Sequence, residues 1–314
     1  MLTLQHSLVT FLALDGNVDR FRFIVAYDLL PDAIRKYTGA RQTSHFEINS
    51  TGTDVSFMKF PLDLKHLTKD TSEKIEGHLA GDIKPCCIGE VTQLNKFDQW
   101  NKHLPIQYYC GVRMHLIQDY FYDEFIRSII DCSDKYNDNF RYNGKSVDGT
   151  TVRKYIVNIE EDGFCILAKE IYDRYGVVTD QAWFDKNVRD VIKTVYSDDL
   201  AISTYNYMKI KPEINRAIQT QDWKKCRLHK IANINDYRAM YSVVHKNCFD
   251  IAQYLDRHTC RIIKVDDDLV FVQYKDGKQS MYKKDTFKTM MKLNRVLVSN
   301  AKLSSNNRLL VEGL

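Results

Sequence analysis

This sequence predicts a mainly α-helical fold with a small β-containing module at its C-terminal end, on three observations. Only five prolines occur in 314 residues, so little interrupts helical pattern as far as about residue 257. The stretch QYYCGVRMHLIQDYFYDEFIRSII, which follows Pro105, runs to about residue 131 without a breaker. Residues 260–282, CRIIKVDDDLVFVQYKDGKQSMY, alternate β-branched and polar residues about the turn signals DDD and KDG, the pattern of a three-stranded meander.

Taken in order, the first 16 residues predict a short helix closed by the turn Asp15-Gly16-Asn17. The next apolar run, FRFIVAYDLL, is expected to stop at Pro31, which leaves Asp32 at a helix start. Residues 38–62 lack periodicity and read as a long loop. Helical pattern returns at 63–78, breaks in GDIKPCCIGE, and resumes at 92–102. Pro105 fits the first turn of the long helix. After it, SDKYNDNFRYNGKSVDG reads as a polar loop, and helices are expected at 151–175, 180–196 and 198–209. A short helix in KKDTFKTMMKLNRVLV follows the meander. The division is drawn at a helical domain of residues 1–225 and a small α+β module of 226–314.

The composition is that of an ordinary globular chain, 44% hydrophobic and 27% charged. Basic and acidic residues, 45 and 41, are interspersed, and only short basic groups such as Lys224, Lys225 and Arg227 occur, so there is no strong nucleic-acid signal. A weak one rests on the Lys and Tyr residues of 261–297. Eight cysteines show no metal-finger spacing; without a secretory leader they are expected to be reduced thiols in a cytoplasmic protein. No apolar run reaches the roughly 18 residues of a membrane span.

Motif absences narrow the chemistry. NGKS at 143–146 lacks the upstream glycine of a phosphate-binding loop, where Asn139 stands, and reads as a turn. There is no HExxH, no GxSxG and no His-Asp dipeptide. What remains is a set of histidines and aspartates: His6 in the first helix, Asp32 after Pro31, His45 in SHFE, and His115 with Asp119 on the long helix. The last two stand one helical turn apart on one face, where a carboxylate requires a partner or a cation to offset lost hydration. Each taken singly is more often a hydrogen-bonded core residue or a helix-terminal one than a ligand.

In order, the early histidine, FIVAYDLLPDAIRK, SHFE and YYCGVRMHLIQDYFYDEFI resemble the zinc-dependent phospholipase C family and its bacterial relatives over roughly residues 1–130. The resemblance implies an all-helical fold with a buried metal cluster that hydrolyses phosphate esters. It carries the metal-ligand positions onto His6, Asp32, His45, His115 and Asp119, with Asp28 and Asp123 as additional candidates. The family's later ligands, a histidine beyond the HxxxD helix and a His and Glu one turn apart, have no counterpart, since no histidine lies between residues 116 and 228. A one- or two-metal site follows. His78 and Asp82 are second-choice residues because Gly81 and Pro85 oppose a helix there; His66 and His103 read as surface or packing residues.

The function expected is hydrolysis of a phosphate ester, a small molecule or a lipid head group. Zinc, with iron or manganese as alternatives, activates the water, Asp32 acts as the base, and Tyr27, Ser44 or Tyr122 orient the ligands. The alternative is a non-catalytic interaction protein that keeps a structural or vestigial metal site and binds a protein partner through its C-terminal module.

Overall fold

The apolar runs of the N-terminal third fold as helices that bury one another. A computed structural model describes residues 3–38, 68–69, 105–129, 140–142, 145–227, 229, 234–292, 296–299, 302–303 and 309–310. Helix α1 (Thr3–Ala13) is buried along its whole length, and the chain reverses after it through Asp15 and Gly16, both at positive φ. A side chain at Gly16 would meet the ring of Tyr175, with a Cβ only 2.8 Å from it, so both the turn and the packing require glycine.

Helix α2 (Val18–Thr38) does not stop at Pro31 but runs through it. Proline removes one backbone donor from a helix interior, yet α2 is held on several sides by tertiary packing, which overrides local preference. The Tyr196 hydroxyl donates to the Ala26 carbonyl just upstream. Continuity through Pro31 has a functional consequence: Asp28 and Asp32 stand one turn apart on one face, and Asp32 is not at a helix start.

Helix α3 (Ile106–Ile129) is the long breaker-free helix and lies along α2. The two approach closely at Gly111, where a Cβ would sit 2.5 Å from Tyr27 Cβ and 2.7 Å from the Asp28 nitrogen. Inside the expected polar loop, β1 (Phe140–Tyr142) and β2 (Lys145–Val147) pair antiparallel. Helix α4 (Gly149–Tyr175) begins at Asp148, whose side chain accepts from the Thr150 and Thr151 nitrogens, and ends at Gly176 in the left-handed conformation.

The expected 180–196 helix is α5 (Gln181–Phe184) and α6 (Asp190–Val195), joined by a π turn over Asp185–Arg189. Then follow α7 (Asp198–Asn206), α8 (Pro212–Gln219) with proline in its first turn, α9 (Trp223–Cys226) and α10 (Ile234–Arg257). Cys165 on α4 and Cys226 on α9 are joined as a disulfide, which corrects the expectation of reduced thiols throughout; Cys110 and Cys260 are free and buried.

The C-terminal meander is β3 (Thr259–Val265), β4 (Leu269–Tyr274) and β5 (Gln279–Lys283), antiparallel, followed by α11 (Lys284–Lys292). The end of KKDTFKTMMKLNRVLV is a strand rather than helix: β6 (Leu297–Val298) pairs parallel to β3, giving the order β5-β4-β3-β6. Two further short strands, β7 (Lys302–Leu303) and β8 (Leu309–Leu310), pair with each other.

The described core falls into two clusters. The larger unites α1 to α10, including Tyr237, Met240, Tyr241, Val244, Ile251 and Leu255 of α10. The smaller is Cys260, Val270, Val272, Phe287, Val296 and Val298. The change of core falls between Leu255 and Cys260, whereas the sequence division was drawn at 225/226. Helix α10 is tied to the helical side by hydrogen bonds as well: Tyr237 to the Ile159 carbonyl at 2.6 Å and Tyr241 to the Leu12 carbonyl at 3.0 Å. Among the described residues no helix is long and apolar enough to cross a membrane.

Candidate metal centre

Helix α1 carries Thr3, Gln5, His6, Ser7 and Thr10 into the interior. A helix buried on all sides must find hydrogen-bond partners for such groups, because each costs free energy when desolvated alone. Gln5 Nε2 donates to the Glu160 carbonyl of α4 at 2.5 Å, and Lys36 Nζ of α2 donates to Thr3 Oγ1 at 2.7 Å. Thr10 Oγ1 donates to Asp28 Oδ2 at 2.9 Å. His6 Nδ1 lies 2.7 Å from Gln118 Oε1, and Gln118 Nε2 donates to Thr10 Oγ1 at 2.6 Å.

The opposite edge of His6 faces carboxylates. Its Nε2 is buried, 3.3 Å from Asp119 Oδ1 and 3.9 Å from Asp32 Oδ2. His115 Nε2 stands 3.5 Å from Asp119 Oδ2, so Asp119 directs one oxygen to each imidazole. The two rings stack, with centroids 4.1 Å apart and planes inclined by 17°. Three helices supply this arrangement: His6 from α1, Asp32 from α2, and His115 with Asp119 from α3. The close crossing at Gly111 brings the α2 carboxylates against α3 one turn before His115.

Electrostatics separate the acids. Burial pushes the Asp28 carboxyl up to about 7; His115 and the Thr10 hydrogen bond pull it down, while Asp32 and Asp119 push it further up. Burial also works to raise Asp119, but opposing contributions that include the charge and hydrogen bonding of His115 and the hydrogen bond of His6 hold it well below the usual carboxylate range. One acid is thus kept ionised beside another inclined to hold its proton. At the outer edge, Arg35 Nη1 lies 3.8 Å from Asp32 Oδ1, on a side chain 43% exposed. Burial lowers the pKa of Lys36, and the nearby Asp32 opposes that shift.

One donor atom each from His6, Asp32 and His115 lies within 4.8 Å of the others. Ligands of a four-coordinate ion at roughly 2.0–2.2 Å stand about 3.3–3.6 Å from one another. The observed set therefore closes on one ion with small side-chain movements. Two imidazoles with one carboxylate are donors that zinc, iron or manganese accept, with Asp119 beside them. The residues present fit a divalent transition ion.

Of the residues singled out in the sequence, His6, Asp32, His115 and Asp119 come together, with Asp28 behind them. His45, Ser44, His66, His78, Asp82 and His103 lie outside the described residues. Asp123 lies on α3 one turn beyond Asp119, and its side chain is outside the described residues. Tyr27 packs edge-on against Tyr108, with ring centroids 5.9 Å apart. The Tyr122 hydroxyl interacts with Glu160.

Thr10, Gln118 and Glu160 were missed. Thr10 stands four residues after His6 and Gln118 three after His115, so helical spacing placed both on the ligand faces. Glu160, buried on α4 and raised by burial with Asp32 adding to the rise, gives no local sign in the run Glu160-Glu161-Asp162. Compared with protein-family models, curated proteins and solved structures, the chain matches none.

Proposed function

We propose that the His6, Asp32, His115 and Asp119 centre binds a divalent ion, zinc by its donor set, and that the protein hydrolyses a phosphate ester, as its resemblance to the zinc-dependent phospholipase C family implies. The observation that carries the reading is the approach of both Asp119 oxygens to two stacked, buried imidazoles, with Asp32 alongside. When bound, the ion would polarise a phosphoryl oxygen and lower the pKa of water.

The chain's own groups do the rest. His6 and His115 present nitrogens, and Asp119, held ionised, compensates the charge between them. Asp32 lies nearer the exposed cation Arg35 and is placed to take a proton as base. Arg35 neutralises an arriving phosphoryl group, on a small phosphate ester or a lipid head group.

A second reading has its own observation: His6 and His115 are fully buried and the Asp119 side chain is only 13% exposed, so the centre offers substrate little access. In that reading the ion ties α1, α2 and α3 together without turnover, and the C-terminal module binds a protein partner. Metal analysis of protein purified without chelators, run beside hydrolysis of a chromogenic phosphomonoester and phosphodiester, separates them. The catalytic reading expects metal and chelator-sensitive hydrolysis; metal with no hydrolysis favours the structural ion. Hydrolysis that survives exhaustive chelation, or absence of metal, defeats the proposal.

A further inference from the structure

Lys36 ends a row of side chains on α2 that the proposed reaction leaves unfinished. Asp28, Asp32 and Lys36 follow one another at intervals of four, so they share one face of the helix. The row leads outward: Asp28 and Asp32 are buried, and Lys36, one turn beyond Asp32, is exposed. Its ammonium nevertheless turns back onto the protein. Nζ donates to Thr3 Oγ1 at 2.7 Å and lies 4.5 Å from the centroid of the Tyr207 ring. Thr3 is buried on α1 one turn before His6, and Tyr207 follows α7 and is 53% exposed. Lys36 thus reaches from α2 to α1 at the outer edge of the centre.

What this cation lacks is an anion. Among the described residues Arg20 rests on Asp256, Arg174 on Glu170, Arg189 on Asp185 and Lys211 on Glu161, whereas Lys36 forms no ion pair. An ammonium carries three donors, and the neutral Thr3 hydroxyl takes one of them. A ring face attracts the charge without neutralising it. Arg35 already faces Asp32 Oδ1 at 3.8 Å, so Lys36 is the cation at this edge that is not committed to a carboxylate. Hydrogen bonds from a cation to phosphate oxygens are the strong ones, and lysine makes them as a point charge. We propose that Lys36 is a substrate-binding residue: its Nζ leaves Thr3 Oγ1 to meet a phosphoryl oxygen, so that the missing counter-ion is the substrate itself.

This role rests on the reading of the centre as one for phosphate esters, and the test keeps the two apart. Protein purified without chelators and assayed for metal is titrated calorimetrically with inorganic phosphate and with glycerol 3-phosphate, a soluble lipid head group, and the titrations are repeated after metal removal. The parent should bind the anions, Lys36→Gln should bind them about 10–100-fold more weakly, and Lys36→Arg should recover most of the loss. Tighter binding of glycerol 3-phosphate assigns the contact to an ester, and tighter binding of inorganic phosphate assigns it to the free ion. Thr3→Val removes the resting bond and keeps the lysine, so it should bind the anions at least as well as the parent. If Lys36 only ties α2 to α1, Lys36→Gln and Thr3→Val lower Tm alike and anion affinity stays at the parent value, which overturns the inference. A parent that binds neither anion in either state overturns it as well. Lys36-dependent binding by a protein that takes up no metal defeats the metal reading and leaves the anion contact standing; metal uptake with anion binding indifferent to Lys36 does the reverse.

Discussion

The helical core and the C-terminal sheet bury their interiors on different terms. Around α1 the apolar cluster encloses Gln5, His6, Thr10, Asp28, Asp32, His115, Gln118 and Glu160, an expensive set to desolvate. In the sheet the cluster is Cys260, Val270, Val272, Phe287, Val296 and Val298, and no buried polar or charged side chain of the described residues lies beyond Thr204. A core that only stabilises does not need buried charge. The contrast sets the proposed metal centre in the helices and leaves the sheet as an apolar packing unit.

The harshest way to break that comparison is to cut the chain. Ending it at residue 228 removes α10, and with it Tyr237, Tyr241, Val244 and Leu255 from the larger cluster. A Cβ on Gly163 would lie 2.1 Å from the Tyr237 hydroxyl, so the tyrosine packs directly on that glycine of α4. We expect this truncation to lose cooperative unfolding, and a chain ended at residue 258 to keep it together with metal uptake. If the shorter chain unfolds cooperatively and the longer does not, the division lies where the sequence first suggested.

Next in size are the proposed ligands. His115→Ala and Asp119→Ala should each weaken zinc binding by more than about 100-fold, beyond the roughly 10–100-fold that supporting residues reach. Phe287→Ala, in the sheet cluster, should cost about 3–5 kcal/mol of local stability and leave metal affinity unchanged. Coupling of Phe287 to metal uptake would show that the two cores are not separate in function.

How much of this the sequence disclosed depends on whether local pattern or tertiary contact decided the outcome. The HxxxD spacing on α3 was legible because helical geometry alone places His115 beside Asp119. The sheet was legible because alternation marks strands with two unlike faces. Pro31 misled because its local preference was outweighed by packing around α2, and that hid the pairing of Asp28 with Asp32. The Cys165–Cys226 link spans 61 residues, and no spacing rule joins such a pair. Glu160 comes beside α1, where its carbonyl accepts from Gln5, only because α4 packs on α1.

The acid pair gives a pH test. Folded Asp28 keeps its proton up to about pH 7, whereas in the unfolded chain it would release it near 3.8. Between those values the folded state binds the extra proton, so stability falls as pH rises through that window and levels off above it. Asp119 is depressed and works the other way: its contribution is present above the unfolded value and is lost as pH falls through its lower folded value. Asp28→Asn cannot ionise yet still accepts from Thr10. Measured by urea unfolding of metal-free protein, it should gain on the parent by on the order of a few kcal/mol from pH 5 to pH 8. A gap that is flat with pH would mean that Asp28 is ionised throughout.

The smallest effect expected lies on the outer face of the sheet, and it sharpens the comparison from the other side. In β4 and β5, Val270 pairs with Tyr282 and Val272 with Ser280 on the face that packs into the small cluster. Phe271 pairs with Met281 on the opposite face, where Met281 is 57% exposed. The register shift between Ile262 and Lys264 leaves Ile263 outside the ladder, also half exposed. Lys264 extends over the Phe271 ring at 5.6 Å, so a cationic side chain already stands on this surface. Met281→Lys therefore desolvates nothing and opens no cavity, and it should change stability by less than about 0.5 kcal/mol in thermal unfolding. Metal affinity should not move either. A destabilisation like that of Phe287→Ala would mean that the outer face is covered in the folded protein and that the sheet, like the helices, has an interior on both sides.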